Sequence, residues 1–325
     1  MAAISKLIRT LRKYANSRKL FSNWPSTIIN YVLIRLIISK FSPNVMMRSC
    51  IKVKCRSGGK TCINPLLYSN IMWYFTFGFL KAVKCSPKGD ALIINGLTVK
   101  LQFHDDYVDL GSAKFKDLHL KNGYSPVIET FVNQEYRFVD VNDRVVIDVG
   151  AFVGDSAIYF ALKGAKKVYA IEPHPGAYAE MLENIKLNNM EDRIVPINAA
   201  IGSKPGVTKV INIGIKDTMG TYHHNLNNSE GGANAEVVLV ITLKQLINDY
   251  SIKPDILKMD CEGCEFDIIL NDYDYVKLFK ELIFEIHRNM GSSKELLNKL
   301  SNDYKCESYG EEMSNYGIVH CVRLW

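Results

Sequence analysis

The first 89 residues of the chain contain no aspartate or glutamate, and the first acidic residue is Asp90. The same stretch carries 16 of the 40 lysines and arginines, which leaves 24 basic residues against all 34 acidic ones in the remainder. Regions of opposite net charge indicate two separate roles. The sequence therefore predicts a basic, mainly helical N-terminal region over residues 1–89, which opens with an amphipathic helix over residues 1–20. The first interpretation is a solvated basic surface, and the alternative is a surface that contacts an anionic membrane or another polyanion. Nucleic acid fits less well, because the region resembles no nucleic-acid-binding module.

Long uncharged apolar runs are also missing. Arg35 interrupts the apolar segment 27–41, and the aromatic segment 71–80 is shorter than the roughly 18 residues that a membrane span needs. The basic N-terminus is not followed by an apolar stretch with a small-residue cleavage site, and eight cysteines without such a signal do not indicate a disulfide framework. We therefore expect free thiols, with Cys261 and Cys264 as small apolar residues. The expected location is cytoplasmic, with peripheral membrane contact through the basic region.

Residues 145–173 have the pattern of a nucleotide-binding strand–turn–helix–strand unit. The apolar strand VVIDV leads to a turn with Gly150 and Gly154, then to a helical pattern and a second strand that ends in Glu172. Glycines allow the backbone to approach a ligand, and the free N–H groups at a helix start attract an anion. An acid at the end of the second strand can accept hydrogen bonds from two ribose hydroxyls. The segment therefore predicts a cofactor site at Gly150, Gly154 and Glu172.

The middle glycine of the dinucleotide fingerprint G-x-G-x-x-G is absent, since the turn has the sequence GAFVG. Asp148, at the end of the first strand, would also face a pyrophosphate badly, but it suits a ligand that carries an ammonium group. S-adenosylmethionine is such a ligand, because its carboxylate can lie at the helix start and its ammonium near an acid. The sequence favours this methyl donor over NAD, and a turn without a ligand is the remaining alternative.

Polar residues follow the ends of several predicted strands. They are Asp148, Glu172, Asn198, Asp260, Glu262, Glu285 and His287. Alternating strands and helices predict an α/β, Rossmann-like, doubly wound and mostly parallel sheet over residues 143–325 that ends in an antiparallel pair. Residues 90–142 are expected to form a lead-in with a β-hairpin at Asn95-Gly96 and a helix. Because ligands bind outside the carboxyl ends of parallel strands, we expect the polar residues to line one site.

Methyl transfer to a hydroxyl requires a group that takes the hydroxyl proton. His287 is the candidate base, since its ordinary pKa lies near neutral pH, and Asp260 and Glu262 are the other candidates. These three residues could instead hold a divalent cation that acidifies the hydroxyl. We favour the mechanism without a metal.

Seven segments together resemble the FkbM family of S-adenosylmethionine-dependent methyltransferases. They are VVIDVGAFVGDSAIYFA, VYAIEPHP, NIKLNN, INAAIG, ITLKQLI, PDILKMDCEGCEFDIIL and LIFEIH, in the expected order over residues 124–290. The D-x-E-G-x-E turn after a K-x-D strand is the most specific of them. The resemblance implies a Rossmann-like class I methyltransferase and, most often, O-methylation of a sugar, glycan, glycolipid or small metabolite.

The same resemblance implies roles for single residues. Asp148, Gly150 and Glu172 would contact the donor, and Asn198 would lie near the adenine. The residues that would face the acceptor are Asp260, Glu262 and His287. The acceptor pocket is expected to be built by the loop 214–234 and the lead-in. Two alternative functions stay open, namely a polyanion- or membrane-binding protein that uses the Rossmann-like domain as a platform, and a nucleic-acid methyltransferase.

Overall fold

The computed structural model describes residues 14–34, 49–76, 80–116, 126–211, 235–287, 290–309 and 316–324. The chain divides into two compact units, residues 1–134 and residues 135–325. The loop 214–234 and most of the amphipathic helix expected over residues 1–20 lie outside the described residues.

The first unit combines helices with antiparallel strands. Its helices are α1 (Ser17–Leu20), α2 (Trp24–Leu33), α3 (Pro65–Thr76) and α4 (Pro126–Ile128), the last continuing into a π-helical turn over Glu129–Asn133. Its strands are β1 (Ile51–Lys54), β2 (Lys60–Ile63), β3 (Lys84–Cys85), β4 (Leu92–Ile94), β5 (Leu97–Phe103), β6 (Val108–Gly111) and β7 (Lys114–Phe115). Strands β1 and β2 form a two-stranded antiparallel sheet, and β3 to β7 form a five-stranded antiparallel sheet in chain order.

Among the described residues of the N-terminal 89, helices occur together with β-structure that the sequence pattern does not predict. The hairpin of β1 and β2 alternates inward and outward side chains over only four residues in each strand, which is too short a pattern to stand out in the sequence. The hairpin predicted at Asn95-Gly96 is confirmed by the pairing of β4 with β5. Both turn residues have positive φ angles, 46° and 86°, as a two-residue hairpin turn of type I′ requires.

The second unit is built on a seven-stranded sheet. Its principal strands are β8 (Val145–Val149), β9 (Lys167–Ile171), β10 (Ile194–Ile197), β14 (Ile256–Met259), β15 (Glu281–His287), β16 (Tyr304–Tyr309) and β17 (Tyr316–Arg323). The strand order is β10-β9-β8-β14-β15-β17-β16. The first five strands run parallel, and β17 is antiparallel to both of its neighbours. This confirms the predicted mostly parallel sheet with an antiparallel C-terminal pair.

Helices connect the strands of this sheet, and a small second sheet accompanies it. The helices are α5 (Asp155–Leu162), α6 (Pro175–Leu187), α7 (Leu243–Asp249), α8 (Cys264–Asn271), α9 (Tyr273–Val276) and α10 (Ser293–Leu300). The small sheet contains β11 (Ala200–Ile201), β12 (Gly206–Ile211) and β13 (Ala235–Ile241) in the order β11-β13-β12. Among the described helices of the whole chain, none combines the length and the hydropathy that crossing a membrane requires.

The core of the second unit lies on both faces of the central strands. On one face, Ile147 of β8, Leu257 of β14 and Phe284 of β15 are fully buried in one apolar cluster with Ile268 of α8 and Leu296 of α10. On the other face, Val146, Ile256 and Ile283 are also fully buried. Near-continuous apolar strands of this kind are typical of a parallel sheet that is covered on both faces. The rigid core fixes the carboxyl ends of β8, β14 and β15, where the polar residues lie.

All eight cysteines are paired, which makes the expectation of free thiols wrong. The pairs are Cys50–Cys62, Cys55–Cys85, Cys261–Cys264 and Cys306–Cys321. Strand pairing, which spacing along the chain does not show, places Cys306 and Cys321 directly opposite each other on β16 and β17. Cys261 and Cys264 are three positions apart and meet in the turn that leads into α8.

Candidate active site

The glycine turn after β8 lies against the turn after β14. The N–H of Asp260 donates to the carbonyl oxygen of Val149 at 3.0 Å, which extends the pairing of the two strands by one residue. Gly150 has a φ of 76°, and a Cβ at this position would overlap the carbonyl oxygen of Asp260. Only glycine fits such a close approach in a left-handed conformation. The turn expected to hold the donor and the turn expected to carry the catalytic acids are therefore neighbours.

Lys258 joins the two turns from inside the sheet. Its ammonium lies 2.8 Å from a carboxylate oxygen of Asp148 and donates to the carbonyl oxygen of Gly150, also at 2.8 Å. The Ser156 hydroxyl donates to the other Asp148 oxygen at 2.7 Å. Asp148 and Lys258 are only 0% and 1% exposed, so both charges are satisfied inside the protein. The sequence analysis gave Lys258 no role, although a lysine within the buried strand ILKM signals a buried partner.

The environment of Lys258 keeps the side chain charged. Burial acts to lower the pKa of Lys258, but the negative charges of Asp148 and Asp260 outweigh it and raise the pKa. The ammonium also lies over the ring of Tyr136, 5.6 Å from its centre. A permanent positive charge therefore lies directly beneath the glycine turn.

Glu172 follows β9 and is pinned by backbone groups. One carboxylate oxygen accepts the N–H of Phe152 at 2.9 Å, and the other accepts the N–H of His174 at 2.8 Å. The side chain is buried, and burial raises the pKa of Glu172 to about 7 against the lowering effect of these donors and of Lys258. The carboxyl group is thus fixed in position beside the glycine turn, and its role in donor binding stays a prediction.

Gly154 and Asn198 lie at the borders of this turn. Gly154 has a φ of 84° and is the residue before α5, where it caps the helix start. The exposed Asn198 donates through its amide to the carbonyl oxygens of Glu172 at 2.8 Å and Pro173 at 3.2 Å. Asn198 therefore supports the backbone that carries Glu172.

Glu265 organises the turn between β14 and α8. One of its oxygens accepts the N–H of Gly263 at 2.9 Å, and the other accepts the N–H of His287 at 3.2 Å. The same oxygen lies 3.1 Å from Nδ1 of His287. Glu265 is fully buried and ties the turn to the end of β15. The sequence analysis did not select Glu265, although it is the last acid of the D-x-E-G-x-E turn.

The three acceptor-facing candidates converge at Nε2 of His287. This atom lies 3.2 Å from a carboxylate oxygen of Glu262 and 3.9 Å from one of Asp260. The hydroxyl of Tyr136 donates to the second Asp260 oxygen at 3.3 Å. Because Glu265 holds Nδ1, the ring presents Nε2 to Glu262 and Asp260. The structure thus brings together Asp260, Glu262 and His287.

The close packing of these groups shifts their proton affinities in a coupled way. Burial raises the pKa of Glu262 to about 7, with Asp260 and Glu265 adding to the effect and His287 opposing it. Burial alone would lower the pKa of His287, but the hydrogen bond that Nδ1 donates to Glu265 and the charges of Asp260, Glu265 and Glu262 raise it to about 9. At neutral pH the imidazole of His287 is therefore protonated, and Glu262 is the member of the pair that can still take up a proton.

The same corner of the sheet has the composition of a cation site. In the part of the chain that the structure describes, Asp260, Glu285 and His287 each offer one suitable atom, all within 4.8 Å of one another. Oxygen and imidazole donors of this kind suit several divalent cations. The trio differs from the one considered in the sequence analysis, because Glu285 takes the place of Glu262.

Strand order, the glycine turn and the acid at the end of β9 define the Rossmann-like fold of class I methyltransferases, a class that uses S-adenosylmethionine as the methyl donor. The profile of the family described as "Methyltransferase FkbM domain" matches residues 148–313, which is half of the chain. The chain belongs to this family.

Two curated relatives share shorter segments with the chain. The tRNA (guanine(37)-N(1))-methyltransferase Trm5b of Methanocaldococcus jannaschii is 37% identical over 98 residues, which are 27% of this chain and 28% of that protein. Protein arginine N-methyltransferase 6 of Danio rerio is 35% identical over 91 residues, 27% of this chain and 26% of that protein. The chain thus spans only about a quarter of the length of each relative.

Solved structures with a similar course of the chain include M. capricolum TrmK in complex with S-adenosyl-homocysteine. Its sequence identity is 15% and its TM-score 0.36, over 59% of this chain and 66% of that chain. M. jannaschii TYW2 in complex with AdoMet has 15% identity and a TM-score of 0.37, over 74% of this chain and 91% of that chain. The fold assignment does not depend on these neighbours, because it follows from the strand order itself.

Proposed function

We propose that the protein transfers the methyl group of S-adenosylmethionine to a hydroxyl oxygen of a sugar, a glycan, a glycolipid or a small metabolite. The observation that carries the proposal is the contact between two turns. The glycine turn after β8, with Glu172 beside it, supports donor binding. The turn 260–265, with His287, supplies proton acceptors next to it.

The residues around the glycine turn fit the donor. Each oxygen of Glu172 accepts one backbone N–H, and a carboxylate oxygen can accept a further hydrogen bond, as from a ribose hydroxyl. Gly150 and Gly154 have positive φ angles and allow the turn to pack closely against Asp260 and Met181 where α5 begins. Asp148 acts through Lys258, and Asn198 acts through the backbone after β9. When bound, the donor supplies an electrophilic methyl group on a sulfonium.

The carboxylate of Glu262 takes the proton of the acceptor hydroxyl, because the raised pKa of His287, about 9, keeps the imidazole protonated near neutral pH. Nε2 of His287 lies 3.2 Å from Glu262, so the imidazolium orients this carboxylate and stabilises negative charge that develops beside it. Glu265 fixes the imidazole ring, and Asp260 adds negative charge beside it. A divalent cation held by Asp260, Glu285 and His287 is the alternative means of activating the hydroxyl.

Two other classes of methyl acceptor, nucleic acids and proteins, have to be distinguished from hydroxyl-bearing acceptors. The relatives named above include a tRNA methyltransferase, and the basic residues 1–89 favour a polyanionic acceptor as the second candidate. Labelled methyl transfer into an extract, followed by separation of glycans, lipids, metabolites, nucleic acids and proteins, distinguishes these classes. The label is expected on oxygen in the first three fractions, and label confined to nucleic acid or protein would overturn the proposed acceptor.

Donor binding and chemistry are measured separately. Calorimetry is expected to show donor binding by the wild type and at least tenfold weaker binding by Glu172→Gln. Glu262→Gln and His287→Gln should retain donor binding but lose about a hundredfold or more in turnover. His320→Gln is the matched control, because His320 also contacts a glutamate, Glu281, but at the opposite end of β15. Absence of donor binding to the folded protein would refute the proposal, and loss of turnover with a chelator would favour the cation.

A further inference from the structure

Helix α2 has apolar side chains on its outer face as well as on its inner face. Thr27 and Tyr31 point inward and are buried. On the outer face Ile29 is 59% exposed, Leu33 44% and Val32 38%. Their spacing places them on neighbouring turns of one helix face. A helix that is apolar all round is normally buried, so this exposed stripe is suited to an apolar partner.

Basic side chains lie beside the beginning of α2. The amide of Asn23 donates to the carbonyl oxygen of Lys52 at 2.9 Å, and its side-chain oxygen accepts the N–H of Lys54 at 2.7 Å. These bonds fix β1 next to the helix start, and the side chains of Lys52 and Lys54 both point outward. The indole of Trp24, the first residue of α2, is 36% exposed at the same place.

The surrounding sequence carries charge of one sign only. Residues 1–89 contain 16 lysines and arginines and no aspartate or glutamate. An apolar stripe next to lysines, with a tryptophan at its edge, is the composition of a surface that lies on a membrane containing anionic lipids. Nucleic acid would satisfy the lysines but offers no apolar phase to Ile29, Val32 and Leu33.

We propose that the outer face of α2, together with Lys52 and Lys54, docks on an anionic lipid surface. The aliphatic side chains enter the boundary between headgroups and acyl chains, and the lysines contact anionic headgroups. This inference concerns the first unit and does not depend on the proposed methyl transfer.

Sedimentation of the full chain with lipid vesicles tests the proposal. Binding to vesicles of phosphatidylcholine with phosphatidylserine is expected at low salt, with at least tenfold weaker binding to phosphatidylcholine alone. The double variant Ile29→Ser/Leu33→Ser should bind the anionic vesicles at least tenfold more weakly. Lys52→Gln/Lys54→Gln should reduce the binding and its dependence on salt.

Matched controls separate docking from general stickiness. Val237→Ser/Leu239→Ser changes an equally exposed apolar pair on β13 of the second unit and should leave vesicle binding unchanged. Because all four side chains are exposed, circular dichroism should show the wild-type fold in both double variants. Absence of vesicle binding, or equal binding by Ile29→Ser/Leu33→Ser, would overturn the proposal. So would binding of tRNA in the absence of any vesicle binding.

Discussion

Glu172 links donor binding to pH, because burial raises the pKa of its carboxyl group to about 7. The backbone N–H groups of Phe152 and His174 and the charge of Lys258 favour the ionised form, whereas Asp148 opposes it. If the ionised form binds the ribose, donor affinity should rise about tenfold between pH 6 and pH 8, as the ionised fraction grows from roughly 0.1 to 0.9. Calorimetry at the two pH values measures this rise.

The same shift has an opposite effect on the stability of the free protein. The pKa in the folded state lies above the ordinary value of 4.5, so this carboxyl favours folding below that value. The stabilisation of the folded protein by the protonated carboxyl is lost as the pH rises from 4.5 towards 7.

Glu172→Gln should abolish the dependence of donor affinity on pH between 6 and 8. A dependence that persists in this variant would assign it to another group.

Lys258 and Asp148 form an ion pair whose halves depend on each other. Lys258→Met leaves the Asp148 carboxylate buried with the hydrogen bond from the Ser156 hydroxyl but without its counter-charge, and breaking a buried pair in this way costs about 3–5 kcal/mol. The double variant Asp148→Asn/Lys258→Met removes both charges and should recover most of the loss. Urea unfolding of the three proteins gives the free energies. A double variant no more stable than Lys258→Met would contradict the pairing.

Sequence pattern located the edge of the site but not the residues that hold it together. The sequence pattern indicates Asp260, Glu262 and His287 because they lie at strand ends, and the topology places Asp260 and Glu262 within about 4 Å of Nε2 of His287. Lys258 and Glu265 were missed, because one lies within a strand and the other within a helix. Their roles depend on partners more than 20 residues away along the chain, and no local pattern reports such a contact.

At the scale of secondary-structure elements, the contact between the turns after β8 and β14 requires glycine at position 150. Gly150→Ala would place a Cβ on the Asp260 carbonyl and hold a non-glycine residue at a positive φ. We expect a loss of more than about 2 kcal/mol in stability, together with weaker donor binding. Gly206→Ala is the control, because no atom lies within 4 Å of a Cβ at that position. Equal stability of the two variants would show that the turns can separate freely.

The elements of the second unit were more predictable than those of the first. Continuous apolar strands such as ILKM and ELIFEIH, separated by helical patterns, lead to one topology because crossover connections are right-handed. The hairpin of β1 and β2 has no comparable signal, since each strand has four residues and is stabilised by distant contacts. Asn23, for example, bonds to Lys52 and Lys54, about 30 positions away.

At the scale of the whole molecule, disulfides occur in both units. Cys50–Cys62 and Cys55–Cys85 lie in the first unit, and Cys261–Cys264 and Cys306–Cys321 lie in the second. Disulfides persist mainly in oxidising compartments, with intracellular proteins of hyperthermophiles as an exception. The cytoplasmic location expected from the sequence stays a prediction, and thiol trapping in acid-quenched cells would show whether the pairs exist there.

The four pairs should differ in what they contribute to stability. A disulfide limits the unfolded chain more when it closes a longer loop, so Cys55–Cys85, with a separation of 30 residues, should contribute about 3–4 kcal/mol. Cys261–Cys264, with a separation of 3, should contribute about half as much. Denaturant unfolding of Cys55→Ala/Cys85→Ala and Cys261→Ala/Cys264→Ala, monitored by a probe placed in the unit that carries each pair, measures the two free energies.

Alkylation tests the pairing itself. The denatured, unreduced wild type should have no reactive thiol, and the reduced protein should have eight. Reactive thiols before reduction would contradict the pairing, and a larger loss from the shorter loop would mean that the Cys261–Cys264 pair acts mainly on the folded turn that carries Glu262.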